Sequence, residues 1–181
     1  MKHPLSRRKF LKLGLLAAAL PFPAFASQGP SVSERRLGFN NLHTGEKLDL
    51  PYWIEGDYVP ETLAEINRVL RDHRTGQVAA IDTGLLDLLH RVNAALGTSR
   101  PFQVISGYRS PASNQMLSSN SSGVAKRSLH MEGKAIDIRL PGIQLADLHR
   151  TGLMLRSGGV GYYPDSNFVH LDVGRVRTWG G

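Results

Sequence analysis

Three residues are of the right types to form a metal centre. His130 and Asp137 lie in Ser128-Leu129-His130-Met131-Glu132-Gly133-Lys134-Ala135-Ile136-Asp137, and His170 follows far downstream in Phe168-Val169-His170-Leu171-Asp172. Two neutral imidazoles and a carboxylate can hold one zinc ion and leave a coordination position open, which separates a zinc that does chemistry from one that only staples a fold. Spacing alone does not decide the matter. The chain has seven histidines, and a His with an Asp seven residues on arises readily by chance. The elements around these residues must choose between a metal site and ordinary structural histidines.

Those elements can be read from periodicity. Residues Lys134 to Leu140 alternate Ala135, Asp137 and Arg139 against Ile136, Ile138 and Leu140. A strand with that pattern buries the isoleucines and turns Asp137 to the other face, toward a cleft. Phe168 to Val173 repeats the pattern, with Phe168, His170 and Asp172 on one face and Val169, Leu171 and Val173 on the other. Val160-Gly161-Tyr162-Tyr163 precedes it across the turn Pro164 to Asn167, as in a hairpin. Upstream, residues 37–43 and 47–54 read as two strands around Thr44-Gly45, and Pro51 argues that the second lies at an edge. Pro60 opens a helix with Leu63, Ile66, Val69 and Leu70 at helical spacing, and a second runs from Asp82 or Thr83 to Gly97. Phe102 to Ser106 is a short buried strand, and Pro111 begins a helix that breaks in the serine-rich run Ser118 to Gly123, a surface loop that serves as a substrate-contacting flap or as filler. Leu145 to Leu155 is a helix with Leu145, Leu148, Leu153 and Met154 as its apolar positions, ended by Ser157-Gly158-Gly159. No repeat is visible, and the order of elements predicts an α+β domain on a mostly antiparallel sheet flanked by helices.

The first 26 residues read as an address. Lys2, Arg7, Arg8, Lys9 and Lys12 form a basic region, Leu13 to Leu20 is too short an apolar run to span a bilayer comfortably, and Ala24-Phe25-Ala26 offers a signal-peptidase site. Ser6-Arg7-Arg8-Lys9-Phe10-Leu11-Lys12 resembles a twin-arginine export signal, which hands a folded protein to the twin-arginine machinery and the periplasm. The expected organisation is a signal at 1–26, a linker at 27–34 and one domain at 35–181. Cleavage after Ala26 leaves no membrane span; retention of the segment as an anchor is the alternative. The five signal cations account for most of the +7 net charge, since seventeen Lys and Arg remain against fifteen Asp and Glu, a balance of +2. No basic patch survives outside the signal, so no nucleic-acid partner is implied. The chain has no cysteine, so any metal site must use His and carboxylates.

These motifs together resemble a known family. Ser106-Gly107-Tyr108-Arg109-Ser110-Pro111, Ser128-x-His130-x-x-Gly133-x-Ala135-x-Asp137, Gly158-Gly159-Val160-Gly161-Tyr162-Tyr163-Pro164 and Phe168-Val169-His170-Leu171-Asp172 are similar to motifs of the zinc D-Ala-D-Ala peptidase superfamily, and within it to the murein endopeptidase K-like branch. His43 to Glu46, Leu70 to Gly76 and Ile81-Asp82 extend the resemblance over nearly all of the mature chain. It implies a hedgehog/DD-peptidase-like fold with a zinc cleft, one zinc per chain on His130, Asp137 and His170, and cleavage of peptidoglycan cross-linked stem peptides next to meso-diaminopimelate. A non-catalytic zinc-containing module that binds peptidoglycan and a D-Ala carboxypeptidase are the alternatives.

The resemblance also carries Arg109, either to stabilise the oxyanion or to dock a substrate carboxylate. Many relatives place a Glu, Asp or His two or three residues before the last ligand as general base. Here those positions are Phe168 and Asn167. Asp172 is then the first candidate for the base, or else the carboxylate that fixes the tautomer of a ligand histidine. Glu132, His43 and His73 are weaker candidates for the cleft. Arg71, Arg74, Arg109 or Lys126 would orient the stem carboxylates.

Overall fold

The structure, a computed structural model, describes residues 33–120 and 125–180. The export signal, all but the end of the linker and residues 121–124 of the serine-rich run lie outside them. The chain forms strands β1 (Glu34–Asn41), β2 (Lys47–Ile54) and β3 (Asp57–Tyr58), helices α1 (Pro60–Val69) and α2 (Thr83–Ala95), strand β4 (Phe102–Ser106) and helix α3 (Pro111–Asn120). A 3-10 turn at Leu129–Glu132, β5 (Ala135–Arg139), α4 (Leu145–Leu155), β6 (Gly159–Tyr163), β7 (Phe168–Asp172) and β8 (Arg177–Gly180) complete it.

Among the described residues the strands form one mixed sheet in the order β3-β2-β1-β4-β5-β7-β6-β8. The β1–β4 and β6–β8 pairs are parallel, a departure from uniform antiparallel pairing, and the other neighbours are antiparallel. Strand β1 starts at Glu34, one residue inside the expected linker. Pro51 is not on a true edge strand, because β3 pairs with β2 at Trp53 and Ile54. It is tolerated because β3 stops short of it and the β1–β2 register shifts beside its partner Arg36.

Helices α1, α2 and α4 pack on the sheet. Pro60 occupies the first turn of α1, where a missing N–H costs nothing. The Asp82 carboxylate caps α2 by accepting the Gly84 N–H. In α4 the expected apolar stripe is rotated: Leu148, Thr151 and Gly152 are buried, while Leu153 and Met154 are exposed. Gly152 lies against Leu171 and Val160, so α4 approaches the sheet where a larger side chain would hold it off.

The register that places the candidate centre is the β5–β7 pairing. Ile136 faces Leu171 and Ile138 faces Val169, all four fully buried. Each such side chain contributes about 1.5–3 kcal/mol relative to exposure. A one-residue slip would move all of them to the wrong face. The same register puts Asp137 opposite His170 and Ala135 opposite Asp172 on the other face.

Candidate metal centre

His130 reaches the centre from the 3-10 turn before β5. The Ser128 side chain accepts the His130 N–H at the start of that turn, and Gly133 ends it in a left-handed conformation (φ 66°). Any Cβ at Gly133 would collide with the Ala80 carbonyl, so glycine is required for both the backbone angle and the space. The Asp82 N–H bonds the Gly133 carbonyl at 3.0 Å, tying the turn to the start of α2.

Three atoms converge in this region: His130 Nε2, Asp137 Oδ1 and His170 Nδ1. Their separations are 3.2 Å between the two nitrogens, 3.3 Å from His130 to Asp137 and 2.8 Å from His170 to Asp137. Tetrahedral zinc with bonds of about 2.0–2.2 Å separates its ligand atoms by about 3.3–3.4 Å. Two of the three edges are close to that spacing, and the third is somewhat shorter. The outer partners set the tautomers. His130 Nδ1 donates to the Gly107 carbonyl at 2.8 Å, and His170 Nε2 donates to Asp172 Oδ2 at 3.1 Å. Both remaining ring nitrogens therefore turn lone pairs inward beside a carboxylate. Three acceptors this close need a cation or a proton among them, and the residues present fit a zinc ion.

Without a metal ion, the electrostatics favour a proton among the three groups. Burial would raise the Asp137 carboxyl, but His130 and His170 outweigh it and hold it far below the usual range. Burial disfavours the charged form of His170, and its two carboxylate partners overcome that and raise it.

Asp172 is fully buried. Its Oδ1 accepts the N–H groups of Gly159 (2.9 Å) and Gly174 (2.8 Å) and Arg177 Nη1 (3.1 Å). Its Oδ2 accepts His170 Nε2 and Arg177 Nη2 (2.6 Å). These donors outweigh desolvation and hold its carboxyl well below the usual range. A side chain at Gly159 would strike both the carboxylate and Arg177. The shared strand face does not bring Asp172 to the cleft lining: it is fully buried and held by Gly159, Gly174 and Arg177 of β8.

A cleft of about 550 Å³ opens beside the three atoms, lined by Arg109, His130, Asp137 and His170 and by Arg127, Tyr163, Phe168, Arg177 and Trp179 among others. Arg109 is buried but loosely held. Its nearest acceptors are Asp137 Oδ2 and Ser106 Oγ at 3.4 Å and Asn114 Oδ1 at 3.5 Å, and its Nε has no partner among the described residues. Burial lowers its pKa against the pull of Asp137. Such a guanidinium has donors to spare for an incoming anion. Its backbone is pinned by the Arg109 N–H to the His130 carbonyl (3.1 Å) and by Asp72, whose Oδ2 accepts the Ser110 N–H at 2.8 Å.

A sequence profile described as peptidoglycan L,D-endopeptidase MepK matches residues 29–179. The chain belongs to that family. The MepK protein of Escherichia coli K12, named a peptidoglycan L,D-endopeptidase, is 46% identical over 98% of this chain and 99% of its own length. The probable MepK of Haemophilus influenzae Rd is 40% identical over 97% of this chain and 96% of its own. The MepK-like residues do not all meet at the cleft. Arg71 is taken by Glu46 (2.6 Å), and Glu132 pairs outward with Lys134 (2.9 Å). His43 stacks on His73 with ring centroids 3.8 Å apart and donates from Nε2 to the Ile105 carbonyl, so the two rings serve each other and the backbone rather than the cleft. Arg127 lines the cleft where Lys126 was expected. Arg177 and Trp179 were missed because β8 is too short to show periodicity. The alternation of cation and aromatic in Arg177-Thr178-Trp179 is the signal that could have found them.

Proposed function

We propose that this chain is a zinc-dependent endopeptidase that cleaves the peptide cross-links of peptidoglycan next to meso-diaminopimelate during murein remodelling. The observation that carries this reading is the convergence of three inward-facing acceptor atoms, from His130, Asp137 and His170, in a chain matched over its length by MepK proteins. Residues 1–26 serve as a twin-arginine signal, so that the domain from about residue 35 acts in the periplasm, in a hedgehog/DD-peptidase-like arrangement around the cleft. No helix among the described residues is long and apolar enough to cross a membrane.

One zinc held by His130, Asp137 and His170 would polarise the scissile carbonyl and acidify water at neutral pH. The protein groups do the positioning. Gly107 and Asp172 fix the proton on the outer nitrogen of each histidine, leaving the inner nitrogens free to ligate. Asp172 orients His170 and does not act as a base, because both of its oxygens already accept hydrogen bonds. Arg109 places its under-used donors where negative charge grows on the carbonyl oxygen. Arg127 at the cleft wall attracts stem-peptide carboxylates. An L,D bond joins an L-configured acyl group to a D-configured amine, and the link between two diaminopimelates has that form.

The test is the product masses from a defined cross-linked muropeptide treated with purified mature protein and zinc. Monomers that vanish with EDTA or with His130→Ala support the reading. Loss of a terminal D-Ala alone would indicate a carboxypeptidase, and intact dimers with zinc bound would indicate a non-catalytic binding module.

A further inference from the structure

Tyr163, the last residue of β6, lines the same cleft as Arg109 and the three converging residues. Trp179 Nε1 lies 2.8 Å from its phenol oxygen. An indole N–H can only donate, so the phenol oxygen is the acceptor in this bond. Its own proton is therefore turned away from the indole, and among the described residues it meets no acceptor. A donor that lines a cleft and has its acceptor capacity already engaged is set up to give a hydrogen bond to a ligand.

The hydroxyl is also held in place. The Tyr163 ring stacks on Phe168, its partner across β6 and β7, with centroids 4.5 Å apart. Trp179 is fixed between the Arg177 guanidinium, 4.8 Å from its ring centre, and the His170 ring, 5.1 Å away. Gly161 leaves the space the indole occupies, since a Cβ there would press on its ring. Through Trp179 the phenol is thus positioned relative to His170. Arg109 lines the same cleft, so both groups face one ligand.

We propose that Tyr163 is a catalytic residue that donates a hydrogen bond to the scissile carbonyl oxygen, sharing with Arg109 the negative charge that develops there. This rests on the endopeptidase reading above. No proton is transferred; the bond shortens as the oxygen becomes an oxyanion. Two donors of different chemistry, a guanidinium and a phenol, then bracket one oxygen.

Tyr163→Phe keeps the ring and its stacking while deleting the donor. Expected is a fall in kcat on the order of a hundredfold, with KM and zinc affinity in chelator competition unchanged. Trp179→Phe keeps an aromatic wall but frees the phenol to rotate, and a kcat loss of about tenfold is expected as one misaligned donor. A Tyr163→Phe enzyme within about threefold of wild type in kcat overturns the proposal, as does a loss confined to KM in both variants, which would make the pair a packing surface. Should Tyr163→Phe fail to fold, an unchanged kcat in Trp179→Phe overturns it instead. Failure of the wild-type protein to cut any cross-linked muropeptide would overturn the endopeptidase reading itself, a result distinguishable from an active wild type with an equally active Tyr163→Phe.

Discussion

Arg177 grips Asp172 with both terminal nitrogens, at 2.6 and 3.1 Å, and thereby closes off the one carboxylate that touches the outer nitrogen of His170. On the function proposed above, Asp172, the first candidate for the base in the sequence, serves instead as a support for His170. Asp172→Asn should therefore weaken zinc binding by about ten- to a hundredfold, the usual cost of removing an outer partner of a ligand histidine. Chelator competition measures it. A variant inactive yet with wild-type zinc affinity would return Asp172 to the role of base.

Removing Arg177 leaves the buried Asp172 charge without its cation. Breaking a fully buried pair costs about 3–5 kcal/mol. Arg177 is 32% exposed, so a smaller loss, about 2–3 kcal/mol, is expected for Arg177→Met. Urea unfolding of the metal-free protein reads this directly, apart from any effect on zinc.

Arg109→Lys keeps the charge and loses the planar fork. If the guanidinium serves the oxyanion, kcat should drop on the order of a hundredfold with KM nearly unchanged. A rise in KM at constant kcat would instead assign it to docking a substrate carboxylate.

Zinc should stabilise as well as activate, because the inward lone pairs of His130 and His170 and the Asp137 carboxylate have no other cation among the described residues except Arg109, whose contact is long. At a free zinc level 100 times the dissociation constant the gain is about 2.7 kcal/mol. Thermal melts with zinc, with EDTA and with zinc restored should show a reversible shift; identical melts would count against the site.

His73 is held down to about 4 by burial first and then by the neighbouring His43. Between its usual 6.5 and about 4 the unfolded chain binds more protons there than the folded chain, so this contribution to stability is present above 6.5 and is lost as pH falls toward 4. His73→Phe should flatten the slope of urea midpoint against pH in that window relative to wild type. An unchanged slope would show that the stacked pair is not the source of acid sensitivity.

Much of the site was legible in the amino-acid sequence because it rests on short-range pattern. Period-two alternation in residues 134–140 and 168–173 is a local property of extended backbone, and it assigned Asp137 and His170 to the face away from the isoleucines and valine. Pro60 and Asp82 announced their helices through backbone chemistry within one turn. Tertiary structure decided which charges were spent. Arg71 and Arg109 are both arginines near family motifs, but Glu46 arrives from the connection between β1 and β2 to occupy the first, while the second is buried with only long contacts. His170 and Asp172 share a strand face, and only the return of β8 beside β6 buries one behind the cleft and leaves the other at its edge. Such partnerships depend on contacts between distant segments, and no local periodicity encodes them.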